Sequence, residues 1–279
     1  MLIALLLGTV IAGTVVTVLL VYVFNFEQTD DITAARQRGE MVLSILEGPV
    51  LHAGLGMPDS PDFYDSFKVN DSYVSNLLDT DEGKLRSPIQ VEPEDSSADL
   101  YICYAKPSHN VISDSADITG GSFDIFMEEG INNTYIEANK NTFKSWVTFP
   151  TGGVPMYVES NPSNMRIKGS IPEAVKSSGL ISQYDELHYI RAMHAWVDGG
   201  TFYTEDLTIQ GQQPRVDGIE DIFFDYDSDN GLLTVYVLAR GNQKDSDFAT
   251  QSLEEWPSDF PDDPQYRLVV VRGSWRIRN

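Results

Sequence analysis

The chain runs through MLIALLLGTVIAGTVVTVLLVYVFNF before its first charged side chain, Glu27. Leu2 to Phe24 is long enough to cross a bilayer as a single helix, which takes about 20 apolar residues. A secretory signal would carry a basic leader, a shorter apolar stretch and a small-residue cleavage site. This segment has none of these, so residues 1–26 read as a membrane anchor.

The flanks set the expected orientation. Glu27, Asp30 and Asp31 follow the span, which suits a non-cytoplasmic side, and only the amino terminus precedes it. The expectation is a single-pass protein of the cytoplasmic (inner) membrane, N-inside, with its C-terminal bulk in the periplasm. The formal net charge of −23 makes nucleic acid an unsuitable partner, because phosphate binding needs a basic footprint. The acidic residues are spread along the chain and read as a solvated, self-repelling surface. Cys103 is the single cysteine, so no intrachain disulfide is possible, and in the apolar segment DLYICYAK it reads as a buried, inert thiol.

The helical pattern continues past the apolar run. Ile32, Ala35, Val42, Ile45 and Leu46 form one apolar stripe, with Arg36, Arg38, Glu40 and Glu47 elsewhere around the helix. Gly39 weakens the helix, and Gly48-Pro49 should kink or end it. Residues 27–54 are thus an amphipathic half that must pack on something, with Val42, Ile45 and Leu46 expected to bury against a sheet.

Residues 55–98, rich in Asp, Ser, Pro and Gly, read as a connecting region with a short helix near SYVSNLL. From Leu100 the pattern becomes strand-like: LYICYA, SFDIFM, TFKSWVTF, VPMYVE, MRIKG. SIPEAVKSSG reads as a brief helix with Ser170 as its N-cap. ELHYIRAMHAWV, the turn DGG and TFYTEDLTI predict one hairpin. IEDIFFDYDSDNGLLTVYVLAR predicts another, turning at Asn230-Gly231. YRLVVVRGSWRIRN supplies the closing strand. The expected fold class is α+β, a long N-terminal helix packed on a mainly antiparallel sheet, with 55–279 the β-rich globular domain.

This combination resembles the type IV pilins and pseudopilins. RQRGEMVLSILEGPVLHAG is similar to the helix-exit region of PilW-type minor pilins and of J-type pseudopilins in type II secretion. RVDGIEDIFFDYDSDNG resembles their segment before a variable turn, and SWRIRN resembles their final strand. The likeness covers residues 1–57 and about 185–279 and is poor between. It implies a structural subunit that assembles or initiates a type IV pilus or pseudopilus and joins an extracellular filament. The partners it implies are other pilins through the N-terminal helix, an inner-membrane assembly platform and membrane lipid. Pilin precursors carry a basic leader and a glycine and glutamate motif before a run like MLIALLLG. The expectation is that these lie upstream of Met1, the rival being that Met1 is the true start of an unprocessed anchor.

Other features have competing readings. Ala4, Gly8 and Ala12 recur every four residues, as do Thr9, Gly13 and Thr17, a spacing that lets membrane helices approach closely. Asp225, Asp227 and Asp229 have the alternate spacing of a calcium loop. Yet Gly231 falls one place late, and Tyr236 stands where a bidentate Glu is needed, so a polar hairpin turn explains them without metal. His188 and His194 are too far apart on one strand, about 20 Å, to share a metal. WPSDFPDDP reads as an exposed acidic loop, and Asn70 and Asn132 as chance matches to a glycosylation sequon. No H-E-x-x-H, G-x-S-x-G, Walker loop or zinc-type cysteine spacing is present, so neither catalysis nor a cofactor is expected. The alternative function is a membrane-tethered periplasmic enzyme or ligand-binding domain unrelated to filaments, marked by a cleft with convergent polar groups.

Overall fold

One unbroken helix, α1, runs from Leu2 to Leu51. In this computed structural model the described residues are 2–57, 68–69, 72–73, 79–80, 83–84, 87–92, 99–118, 121–130, 136, 145–151, 153–163, 165–171, 180–207, 212–244, 253, 255–257 and 265–277. At 50 residues α1 is about 75 Å long. Its apolar half is long and apolar enough to span a membrane, and none of that window is buried within the protein. The threonines there do not leave hydroxyls stranded: Thr14 donates to Ile11 O and Thr17 to Gly13 O inside the helix. Pro49 lies in the last turn, so the bond it forfeits, to Ile45 O, falls where the helix is about to end. Past the helix end, Gly54, at φ 68°, takes a left-handed conformation that turns the chain toward the sheet.

The strands of four or more residues are numbered in chain order: β1 Ile89–Glu92, β2 Asp99–Val111, β3 Ser122–Phe126, β4 Trp146–Phe149, β5 Val154–Ser163 and β6 Arg166–Ser170. They continue with β7 Glu186–Asp198, β8 Thr201–Asp206, β9 Gln212–Asp217, β10 Ile219–Asp227, β11 Leu232–Lys244 and β12 Tyr266–Arg276. Among the described residues, β1 to β9 form a nine-stranded antiparallel sheet centred on β7. One side of β7 pairs with β2 along nearly its whole length. The other side is shared, with β4 at His188 and Tyr189 and β8 from Met193 to Asp198. The hairpin β7–β8 and the meander β10–β11–β12 match the sequence pattern, as does the α+β layout.

The central core joins α1, the meander and one face of the large sheet. From α1 it takes Ala35, Val42, Leu46 and Val50, and from β11 the alternating Leu233, Val235, Val237 and Ala239. Ile45 packs against this core while partly buried. A second cluster lies farther along the large sheet, around Phe123, Val158, Ile167 and Leu187. A third, with Cys103, Trp146, Tyr157 and Ile190, covers the opposite face.

Several expectations need correcting. Ile32 is 45% exposed, and Asp31 takes the buried place in the stripe at 4%. Gly39 is no weak point; helix and sheet come into close contact there. A Cβ there would stand 2.5 Å from Val271 Cγ2. Arg38, expected on the solvated side, is held against the sheet. The 55–98 region is more than connection, since Ile89–Glu92 pairs with β2, and Ser72–Tyr73 is strand where a helix was expected. Gln212–Asp217 is a strand despite Pro214, which an edge position tolerates. Of the helix expected over 170–179, Ser170 ends strand β6 and pairs with Tyr157, and 172–179 lie outside the described residues, as do Asn70 and Asn132. Trp256 of the acidic loop is buried, 7% exposed, and Phe260 lies outside the described residues.

This packing predicts two unequal substitutions. Val42→Asp places an unpaired carboxylate at a fully buried site and should cost several kcal/mol, about 3–5. Gly39→Ala should also destabilise, despite the ~1 kcal/mol of helix propensity that alanine gains over glycine, because Val271 blocks its methyl group. Urea unfolding of the full chain in detergent, followed by tryptophan fluorescence, measures both. A stabilised Gly39→Ala variant would place α1 farther from β12.

Candidate functional site at the helix dock

Two polar residues seven positions apart on α1 grip one place in the sheets. Between Arg240 and Lys244 the β11–β12 register breaks, so residues 241–243 bulge out of the ladder. The freed backbone N–H groups of Asn242 and Gln243 donate to Asp31 Oδ1, the latter at 3.0 Å. Gly241 is required there: a Cβ would lie 2.2 Å from Asp31 Oδ2. A carboxylate buried in an apolar stripe is therefore stabilised by two directed donors.

Two turns further on, Arg38 donates to Arg240 O at 2.6 Å and to Asn242 Oδ1. It passes over Gly218, where φ is +78° and a Cβ would meet Arg38 Nη1 at 2.9 Å. Gly218 lies in RVDGIEDIFF, the segment on which part of the pilin resemblance rests. The N–H groups of Gly218 and Ile219 donate to Gly200 O, and Arg240 N–H donates to Gly218 O. The β7–β8 turn, the β9–β10 turn and the end of β11 thus meet at one joint. Arg240 adds an ion pair to Glu220 at 2.8 Å and lies over the Tyr266 ring.

The far end of α1 is also fastened. Gly54 N–H donates to Cys103 O and Ala105 N–H to His52 O, so the helix exit pairs with the outer edge of β2. Cys103, beneath it, is fully buried with its sulfur 3.7 Å from that of Met57. Burial pushes its thiol up to about 12, where it is not a nucleophile.

The other sequence-selected residues fall in separate places. Gly8 and Gly13 face open space, with nothing within 4 Å of a would-be Cβ. Ala12 belongs to the same exposed stretch; Ala4 is helical, but its side chain is not among those described. Val10, Ile11, Val15, Val18 and Leu20 are all more than half exposed. An apolar surface of this extent needs lipid or other helices around it. Asp225, Asp227 and Asp229 do not converge: both oxygens of Asp227 are taken by the turn, from Asp229 N–H, Asn230 N–H and Asn230 Nδ2. The Asn230 side chain foremost holds that carboxyl below its usual range. Among the described residues no three His, Cys, Asp or Glu are placed to hold a metal ion.

His188 and His194 share one face of β7, as their even spacing requires. Burial lowers the pKa of His188. His194 is stacked between Tyr101, 4.3 Å away, and Trp196, 4.2 Å away; Trp196 stacks in turn on Tyr203 at 5.6 Å. Its Nε2 lies 2.8 Å from Asp99 Oδ1. The ladder's rings lie face to face, which stabilises the pairing of β2, β7 and β8.

A cleft of about 650 Å³ opens beside β3 and β6, where Asp114, Asp124, Glu159 and Lys168 converge. The Arg166 hydrogen bond, with help from Lys168 at 3.0 Å, holds the Asp124 carboxyl at about 2. Sequence reasoning missed this cleft, since its residues come from distant segments. It also missed Asp31, although Asp31 lies four residues before Ala35, in phase with the stripe.

No match was found to a protein-family model, to a curated protein or to a solved structure.

The dock predicts that Asp31→Ala costs about 1–3 kcal/mol, the usual penalty when buried donors lose their acceptor. Asp31→Asn, which keeps one acceptor oxygen, should cost less. Equal unfolding midpoints for wild type and Asp31→Ala would show that the bulge is held without this carboxylate.

Proposed function

We propose that this chain is a minor pilin or pseudopilin, a structural subunit that works by assembly and performs no bond chemistry. One observation carries the reading. An exposed apolar helix half, long enough to span a membrane, continues without a break into a half locked to an antiparallel sheet domain. Such an element transmits force and position between a membrane or filament core and a head. A flexible linker, which would serve a mere tether, could not. In this reading the helix stores the subunit in the inner membrane, N-inside, with the head in the periplasm. It then packs through the Gly8, Ala12 and Gly13 region against neighbouring pilins in an extracellular filament. The assembly platform is its partner in between, and the sheet domain meets neighbouring subunits at an initiating tip.

The cleft at Asp114, Asp124, Glu159 and Lys168 favours a second reading, a membrane-tethered ligand-binding domain. That reading needs no helix neighbours. Cysteines placed at Gly8 or Ala12 separate the two, because buried Cys103 stays unreactive. Oxidation in the producing cells should cross-link the chain through these positions to other small single-anchor subunits, and the chain should appear in the sheared filament fraction. A chain that stays in the membrane, without helix cross-links and absent from sheared material, would refute the pilin reading.

A further inference from the structure

We infer that the open edge of β12 binds an extended, acidic segment of another protein as an added strand of the meander. The inference goes beyond the filament reading and needs only the docked head. β12 is an outer strand of the meander, 11 residues long, with no proline and no acidic residue. Among the described residues no strand pairs with its far edge, and residues 268–276 have no backbone hydrogen bond except to β11. Along such an edge every second residue turns its N–H and C=O outward, where an incoming strand can take them up. Other edges are better guarded: β9 carries Pro214, and β1 and β3 are short, at 4 and 5 residues.

The side chains of β12 decide what fits. Val271 and Gly273 face α1, so the alternation puts Val270, Arg272 and Arg276 on the opposite face. Arg276 is exposed and has no side-chain partner among the described residues. Arg272, also exposed, lies over the Tyr236 ring at 5.3 Å, a contact that holds the guanidinium without using its N–H donors. Four positions apart on one face, the two arginines stand about 13 Å from each other. A partner strand with carboxylates at i and i+4 meets both, and each guanidinium fork matches a carboxylate. The formal net charge of −23 sets two copies of this chain against each other, so the acidic strand belongs to a different protein.

The face toward α1 adds a second requirement. Ile32, Gly39 and Leu43 fall within about 40° of one another around the helix. Gly39 and Leu43 lie against β12, and Ile32, 45% exposed, stands on the same flank. Inward side chains of an added strand meet this flank, so the partner needs apolar residues at alternate positions.

Fluorescence anisotropy tests this with the full chain in detergent and a labelled synthetic peptide, TVEVTVEVT, whose glutamates share one face and whose valines share the other. It should bind about tenfold more tightly than the control peptide TVKVTVKVT. Hydrogen exchange should slow at 268–276 when the glutamate peptide is present. Arg272→Glu combined with Arg276→Glu should invert the preference. If that reversal disturbs folding, the milder Arg276→Gln should still weaken the glutamate peptide about threefold, the loss of one exposed ion pair. Equal binding of the two peptides by the wild-type chain, or protection that falls outside β12, would overturn the assignment. Self-association that protects 268–276 without any peptide would overturn it too, because the edge would then be a contact between copies.

Discussion

The architecture depends on Asp31 and Arg38 closing on the β11 bulge. A meander of three strands and a large sheet meet through the shared apolar core, which sets no register, and through turns at Gly200 and Gly218 and the end of β11. Arg38 binds the carbonyl at that joint and Asp31 the N–H groups just beyond it. Both bonds come from a helix whose next turns carry Gly39, Val42 and Leu46 into the core. The polar contacts fix register along the helix axis, and apolar burial supplies most of the free energy.

That division has a mechanical consequence. Apolar packing alone allows a helix to slide or rotate at modest cost, because the hydrophobic effect is non-directional. Two directed contacts at positions 31 and 38, with the exit paired to β2 at 52–54, leave a single register. The head is thereby oriented relative to the apolar half.

Much of this was legible in the sequence, and the failures share a cause. The apolar run, the Val42 and Leu46 stripe and the two hairpins follow from periodicity and turn chemistry, which are local. The phase of Asp31 in the stripe was legible, but its partners were not, because they are backbone N–H groups, which no residue type announces. Ile32 was assigned to the stripe by hydropathy, but the helix phase put its neighbour inside. β9 was hidden by the polar QQPRVD and by Pro214, and β1 by a Pro-rich setting. The Tyr101–His194–Trp196–Tyr203 ladder needs the register of three strands, and the cleft around Asp124 needs that of three more. Neither is visible until those pairings are known.

Hydrogen exchange of the full chain in a bilayer mimic tests most directly whether the wet half of α1 is part of the head. Amides of residues 31–50 should exchange together with those of β10, β11 and β12, at one common protection level and with one denaturant dependence. Protection of 31–50 well below that of the meander, lost at lower denaturant, would mean that the helix opens independently, and the dock could not then orient the head.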